Sequence, residues 1–150
     1  MRKAYFVTTV LLLISVVIQF YFAALGVFGP QGEEENLYGF HSVNGQMVLP
    51  ALSLIAVLFA ALSRAGARTV LLTALPILLV AVQILLFILS GALTGSTEES
   101  PNVAGAIILG LHAVNGLAIL GACIELVRRS RARAFGSDGD STSTPATAAA

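Results

Sequence analysis

The sequence predicts an all-α integral membrane protein, a bundle of four transmembrane helices built from two parallel helix-pair repeats. Three observations predict it: a very apolar composition, four long apolar segments and a pentapeptide that occurs twice. Of the 150 residues, 57% are hydrophobic and 11% are charged, and the mean hydropathy is +0.90. Soluble domains are closer to half apolar and a quarter charged, so this chain lacks the charge to cover a water-facing surface.

Four apolar segments approach or exceed the roughly 20 residues that cross a bilayer. They lie at about residues 4–28, 41–63, 69–94 and 103–127. Arg2 and Lys3 precede the first segment, which leaves a signal peptide as an alternative. An apolar stretch of about 25 residues is longer than a signal-peptide core, however, and this favours an uncleaved span. We therefore predict a transmembrane domain over residues 1–134 and, because residues 135–150 have little apolar content to bury, a disordered tail.

Charge predicts the orientation of these segments in the cell membrane. All eight basic residues fall on one side of it: Arg2, Lys3, Arg64, Arg68, Arg128, Arg129, Arg131 and Arg133. The loops on the other side carry Glu33–Glu35 and Glu98–Glu99. By the positive-inside rule both termini are cytoplasmic. This segregation, at zero net charge, indicates membrane topology and no nucleic-acid partner. We interpret the last arginines as an anchor, with a lipid-headgroup contact as the alternative.

The repeated pentapeptide is His41-Ser-Val-Asn-Gly45 and His112-Ala-Val-Asn-Gly116, and these are the only two histidines in the chain. An apolar segment with one glutamine precedes each copy, Gln19 before the first and Gln83 before the second. Both units run in–out–in, so we predict parallel repeats related by an axis along the membrane normal. Positions i, i+3 and i+4 share a helix face, so each copy groups its histidine, asparagine and glycine: His41, Asn44 and Gly45, and His112, Asn115 and Gly116.

Such a patch is typical of a b-type haem site. Histidines from facing helices can ligate the iron axially, and a glycine one turn away lets the flat macrocycle approach the backbone. The asparagines are candidates to hydrogen-bond the cofactor or a neighbouring helix. Gln19 and Gln83 are candidates to hydrogen-bond the second nitrogen of each imidazole. The alternative is that all these residues serve packing and interhelical hydrogen bonds.

One geometric expectation opposes the haem site. His112 precedes Arg128 by 16 residues and His41 precedes Arg64 by 23. Straight helices would then put the two histidines about 24 and 34 Å from the basic boundary. Tilt of the second segment or snorkelling of Arg64 would close part of this difference of about 10 Å.

Over about residues 4–127, the paired glutamine, acidic-loop and histidine units resemble one half of the haem A synthase family, whose eight-helix members contain two such bundles. The resemblance implies that His41 and His112 form an axial pair. Those synthases carry a catalytic glutamate three residues before the first histidine, where this chain has Tyr38, which implies binding without synthase activity. The His-x-x-Asn-Gly and Leu-His-x-x-Asn-Gly segments more closely resemble small four-helix bacterial membrane proteins of unknown function, which implies the topology alone.

Three functions remain open. The first is haem binding for electron transfer or haem handling, with a membrane redox partner or a second copy of the chain. The second is a structural or accessory membrane protein without a cofactor, its histidines packed or hydrogen-bonded. The third, a transporter or channel subunit, is least favoured because no charge lies in the interior of a span, Glu125 being close enough to Arg128 and Arg129 to pair at the cytoplasmic edge. We find no nucleophile with a base, phosphate loop or zinc spacing that would support an enzyme, and we interpret Cys123 as a packing residue.

Overall fold

The computed structural model describes residues 1–29, 37–97 and 100–136, which contain helices and turns and no β-strand. Helix α1 comprises Arg2–Phe28. The second span, Tyr38–Leu62, consists of α2 (Tyr38–Val43), a π-helical turn (Asn44–Val48) and α3 (Leu49–Leu62). Helices α4 (Ala67–Thr94) and α5 (Val103–Phe135) complete the bundle.

Each of these four spans is long and apolar enough to cross a membrane, which confirms the predicted all-helical class and the four segments of spanning length. Helix α5 continues to Phe135, beyond the apolar segment that predicted it. The predicted glutamate loops, Glu33–Glu35 and Glu98–Glu99, lie outside the described residues. So does the predicted disordered tail, apart from residues 135 and 136.

The spans form a closed ring in which each packs against two neighbours: α1 against α5 and the second span, and α4 against α3 and α5. The second span and α5, which carry the two histidines, therefore occupy opposite corners. A tight turn joins α3 to α4, with Arg64 at φ 53° and Gly66 at φ 81°. Glycine adopts this left-handed conformation without a steric penalty. We call this end of the bundle, with Arg64, the basic end.

The bundle is packed most tightly near the basic end. The Tyr5 hydroxyl hydrogen-bonds Thr73 Oγ1 at 2.7 Å, and Thr9 Oγ1 hydrogen-bonds Ser130 Oγ at 2.7 Å. All four side chains are fully buried. Next to them lies an apolar layer, made of Leu12, Val16, Leu49, Val80, Ile119 and Cys123. Close packing and interhelical hydrogen bonds are the interactions that hold membrane helices together.

The π-helical turn interrupts the second span next to Pro50. The Leu49 N–H donates to the Asn44 carbonyl oxygen, five residues back. Proline has no N–H to donate, and its ring collides with the carbonyl four residues back in a regular α-helix. A wider turn accommodates one extra residue at this point. Asn44 and Gly45, two members of the first repeated pentapeptide, lie on this turn.

The expected difference of about 10 Å between the histidine levels is wrong. The His41 and His112 ring centroids are 6.0 Å apart, and Arg133, rather than Arg128, reaches the turn after α3, where its Nη2 donates to the Arg64 carbonyl oxygen at 3.2 Å. His112 precedes Arg133 by 21 residues, which corresponds to about 32 Å against about 34 Å for His41. The expectation failed because α5 extends about two turns beyond Arg128, which the charge pattern had taken as its boundary.

Candidate cofactor site

The two histidines face each other across the interior of the bundle. Their ring centroids are 6.0 Å apart and their planes are inclined by 51°. The Tyr38 ring lies 5.3 Å from the His41 ring, and Phe87 packs edge-on against His112 at 5.0 Å. These aromatic contacts limit the rotation of both imidazoles.

A first polar cluster, made of Ser15, Gln19, His41 and Asn44, joins α1 to the second span. Gln19 Nε2 donates to the His41 carbonyl oxygen at 2.9 Å, and Asn44 Nδ2 contacts Gln19 Oε1 at 2.7 Å and the Ser15 carbonyl oxygen at 3.0 Å. Ser15 Oγ donates to Asn44 Oδ1 at 2.8 Å. His41 Nδ1 lies 3.2 Å from the Gln19 carbonyl oxygen, which can only accept. That carbonyl therefore favours a proton on Nδ1 and leaves Nε2 as the nitrogen for a ligand.

A second polar cluster, made of Gln83, His112 and Asn115, joins α4 to α5 with some of the same contacts. Gln83 Nε2 donates to the His112 carbonyl oxygen at 3.1 Å, and Asn115 Nδ2 donates to the Leu79 carbonyl oxygen at 2.8 Å. Leu79, four residues before its glutamine, stands where the first cluster has Ser15. Among the described residues, Gln83 Oε1 and His112 Nδ1 are buried and have no hydrogen-bond partner.

Both clusters border one cavity of about 390 Å³, a volume within the usual range for small-molecule sites. All four spans line it, with Val16, Gln19, Phe20 and Ala23 from α1; Tyr38, His41, Ser42, Gly45, Gln46 and Leu49 from the second span; Val80, Gln83, Ile84 and Phe87 from α4; and His112, Ala113, Gly116 and Ile119 from α5. Four of these residues also belong to the apolar layer. That layer bounds the cavity toward the basic end.

The two repeated glycines differ in the space around them. A Cβ added at Gly45 would lie 2.7 Å from Gln19 Nε2, too close for an unchanged structure. A Cβ added at Gly116 would meet the Phe20 ring at 3.5 Å, an ordinary contact. Packing therefore explains the glycine at 45. It gives no reason for a glycine at 116, beside the cavity.

Every site residue predicted from the sequence lies in one of the two clusters or in the cavity wall, and two details differ from the prediction. The Gln19 backbone carbonyl, rather than its side chain, contacts the His41 ring. The Gln83 side chain contacts the backbone of His112 rather than its ring. Sequence reasoning missed Ser15, although it lies one turn before Gln19 on the same face. It also missed Tyr38 and Phe87 as ring contacts, for which an apolar sequence offers no signal.

Residues 19–92 match a family of unknown function, DUF6220. The DUF6220 match includes Gln19, the first pentapeptide and Gln83, and it ends before His112. This similarity supports the predicted resemblance to a family without an assigned role. No curated protein and no solved structure matches the chain, and the resemblance to haem A synthase stays a prediction.

Proposed function

We propose that this protein binds one b-type haem between His41 and His112. The separation of 6.0 Å between the two imidazole centroids supports the proposal most directly. Metal–imidazole bonds are about 2.0–2.1 Å long, so two imidazoles on opposite sides of one metal ion have centroids about 6 Å apart. The two rings thus lie at the spacing that shared axial ligation requires.

The donor set favours a metal macrocycle over a bare ion. The described residues contain no group of three or more histidine, cysteine, aspartate or glutamate side chains that could hold a metal. Two imidazoles leave the shell of a bare transition-metal ion incomplete, since such ions usually take at least four ligands. A porphyrin brings four nitrogens of its own and takes its remaining axial ligands from the protein.

The surrounding residues fit this use of the site. The Gln19 carbonyl favours a proton on His41 Nδ1, and Tyr38 and Phe87 pack against the two imidazoles. The absence of a side chain at Gly116 leaves room beside the cavity for a flat ring. A bound haem would supply one-electron redox chemistry. Because His41 and His112 would both ligate the iron, the supported role is electron transfer or haem handling rather than substrate activation. Its partner would be a membrane redox protein or a second copy of the chain.

An accessory role without a cofactor is the second candidate. The observation in its favour is the first polar cluster, whose side chains bond each other and the backbone so completely that they hold α1 against the second span without a ligand. In that case the second cluster would likewise hold α4 against α5, with fewer hydrogen bonds.

Absorption spectroscopy of protein purified in mild detergent separates the two candidates. The haem proposal predicts a Soret band and a sharp reduced α-band, either as purified or after reconstitution with haemin. The sharp α-band should be lost in His41→Ala and in His112→Ala, with the Soret band shifted or lost, and both bands should be kept in Leu117→Ala, an exposed control on α5. Circular dichroism of each variant checks that the helices remain. Wild-type protein that stays free of haem after reconstitution would support the accessory role.

We also propose that the two helix pairs are parallel repeats. Cavity residues on α1 and α4 pair 64 positions apart, as Gln19 does with Gln83, and the pentapeptides are 71 apart. Beyond the π-helical turn the spacing falls to 70, and buried residues coincide there: Leu49 with Ile119, Ser53 with Cys123, Ala56 with Leu126 and Ala60 with Ser130. A single inserted residue, accommodated by that turn, accounts for the change from 71 to 70.

For the orientation, we propose a multi-pass protein of the cell membrane with both termini in the cytoplasm. The support is the position of all eight basic residues, which lie at the start of α1, in the turn between α3 and α4 or the first turn of α4, and in the last turns of α5. Reporter fusions at Arg64 and at either terminus should report the cytoplasm. Fusions at residue 97 should report the outside, and the reverse pattern would contradict the assignment.

A further inference from the structure

Gln83 differs from its counterpart Gln19 in one respect that bears on the cofactor site. Gln19 uses both ends of its amide, since Nε2 donates to the His41 carbonyl oxygen and Oε1 accepts from Asn44. Gln83 uses only Nε2, which donates to the His112 carbonyl oxygen at 3.1 Å. Its Oε1 is buried and has no hydrogen-bond partner within residues 1–29, 37–97 and 100–136, and the same holds for Nδ1 of the neighbouring His112 ring.

These two atoms are chemically complementary. The amide oxygen of glutamine accepts a hydrogen bond, and an imidazole that ligates a metal through Nε2 carries its proton on Nδ1. Because Gln83 Nε2 and Oε1 belong to one amide group, the hydrogen bond of Nε2 to His112 holds Oε1 near the same residue. A buried donor and a buried acceptor left unpaired would each cost free energy, so pairing them satisfies both.

We propose that Gln83 is the positioning residue for His112: after a rotation of the Gln83 amide or of the imidazole, Gln83 Oε1 accepts a hydrogen bond from His112 Nδ1–H and so presents Nε2 to the cofactor. This inference rests on the proposed haem site and gives its two histidines different kinds of hydrogen-bond partner. His41 is held by a backbone carbonyl, which no side-chain substitution removes. His112 depends on the side chain of Gln83.

The matched variants are Gln83→Leu and Gln19→Leu. Both remove a side-chain hydrogen bond to a histidine backbone carbonyl, and Gln19→Leu also removes the bond from Asn44, so the control loses more structural contacts than Gln83→Leu. Only Gln83→Leu removes the acceptor for a ring nitrogen. Loss of such a partner typically weakens metal binding by about 10–100-fold. We expect that loss of haemin affinity in Gln83→Leu, together with a higher midpoint potential because His112 becomes a weaker electron donor. Gln19→Leu should lose less than about tenfold, with little change in potential.

Nitrogen NMR of the haem-free protein provides a readout that does not need the cofactor. With 15N-labelled histidine the chain gives signals from two imidazoles, which His41→Ala assigns. We expect the Nδ1–H form of His112 to dominate in the wild type and to lose this dominance in Gln83→Leu, but not in Gln19→Leu. A wild-type His112 protonated on Nε2, or equal behaviour of the two variants, would overturn the assignment to Gln83. Wild-type protein that shows the expected tautomer but binds no haemin would refute the haem site alone.

Discussion

The first and second polar clusters share a glutamine, a histidine and an asparagine at matching places, but they differ in how completely their hydrogen bonds are made. In the first cluster Ser15 completes the network, and Asn44 is buried with both ends of its amide engaged. In the second, Leu79 offers only its carbonyl, and two buried polar atoms have no hydrogen-bond partner in the described part of the chain. The comparison indicates that the first cluster mainly holds helices together, whereas the second leaves hydrogen-bonding capacity unused in residues that line the cavity.

Single-residue deletions in the second span and in α5 should give the largest difference in stability between the two regions. Removing Met47 from the π-helical turn lets the second span become a regular helix and keeps His41 on the core face. Removing Leu117 from α5 rotates everything beyond it by about 100°, so His112 and the buried Leu126 no longer share a face. Both residues are exposed. We expect a folded protein after the first deletion and loss of the thermal unfolding transition after the second. Equal damage from both would contradict the one-residue insertion.

Alanine at the two asparagines tests the difference in hydrogen bonding directly. Asn44→Ala removes three hydrogen bonds and leaves Gln19 Oε1 and Ser15 Oγ without these partners, which should cost about 1–3 kcal/mol. Asn115→Ala removes one contact to a helix carbonyl and should cost about 0.6 kcal/mol, a typical value for membrane proteins. Denaturant unfolding in detergent measures both. A larger loss in Asn115→Ala would reverse the comparison.

Alanine at the two glycines should affect different properties, stability at position 45 and haemin binding at position 116. Gly45→Ala places a methyl group against the Gln19 amide, and overpacking of this kind costs about 1–3 kcal/mol. Gly116→Ala fits the space available and should unfold like the wild type, yet bind haemin more weakly because the methyl group borders the cavity. Thermal unfolding and a haemin titration of both proteins check this. If Gly116→Ala leaves haemin affinity unchanged, the macrocycle does not lie against that glycine.

A variant near the basic end should have the smallest effect on the free energy of unfolding and no effect on haemin binding. Thr9→Val removes the hydrogen bond to Ser130, which keeps its own bond to the Val127 carbonyl oxygen. The expected cost is about 0.6 kcal/mol, with haemin binding unchanged. A change in the absorption spectrum of this variant would show that the apolar layer does not isolate the cavity from the basic end.

Much of the fold follows from the sequence, because hydropathy and helix length predict four spans and a repeated motif predicts which faces meet. The motif also identified every residue that the polar clusters use except Ser15. The position of α5 along the bundle axis could not be predicted from charge, because its arginines begin at Arg128, about two turns before the helix ends at Phe135. The π-helical turn was not predicted either. Its effect on the core appears only when the buried positions of the two spans are compared.

The difference between the clusters depends on a single exchange, Ser15 against Leu79, four residues before each glutamine. Sequence periodicity places both residues on the inner face of their helices. It does not show that the serine hydroxyl reaches an asparagine across the interface, because that depends on the distance between helices. The unpaired atoms of Gln83 and His112 are likewise a property of packing rather than of residue type.

Electron paramagnetic resonance of the ferric protein reconstituted with haemin tests the shared axial ligation most directly. Ligation by both imidazoles predicts a low-spin spectrum in the wild type, and its replacement by a high-spin signal or loss of the cofactor in His41→Ala and in His112→Ala alike. A wild type that takes up no haemin, or a low-spin spectrum that survives removal of either histidine, would contradict the proposal that the two rings hold one iron.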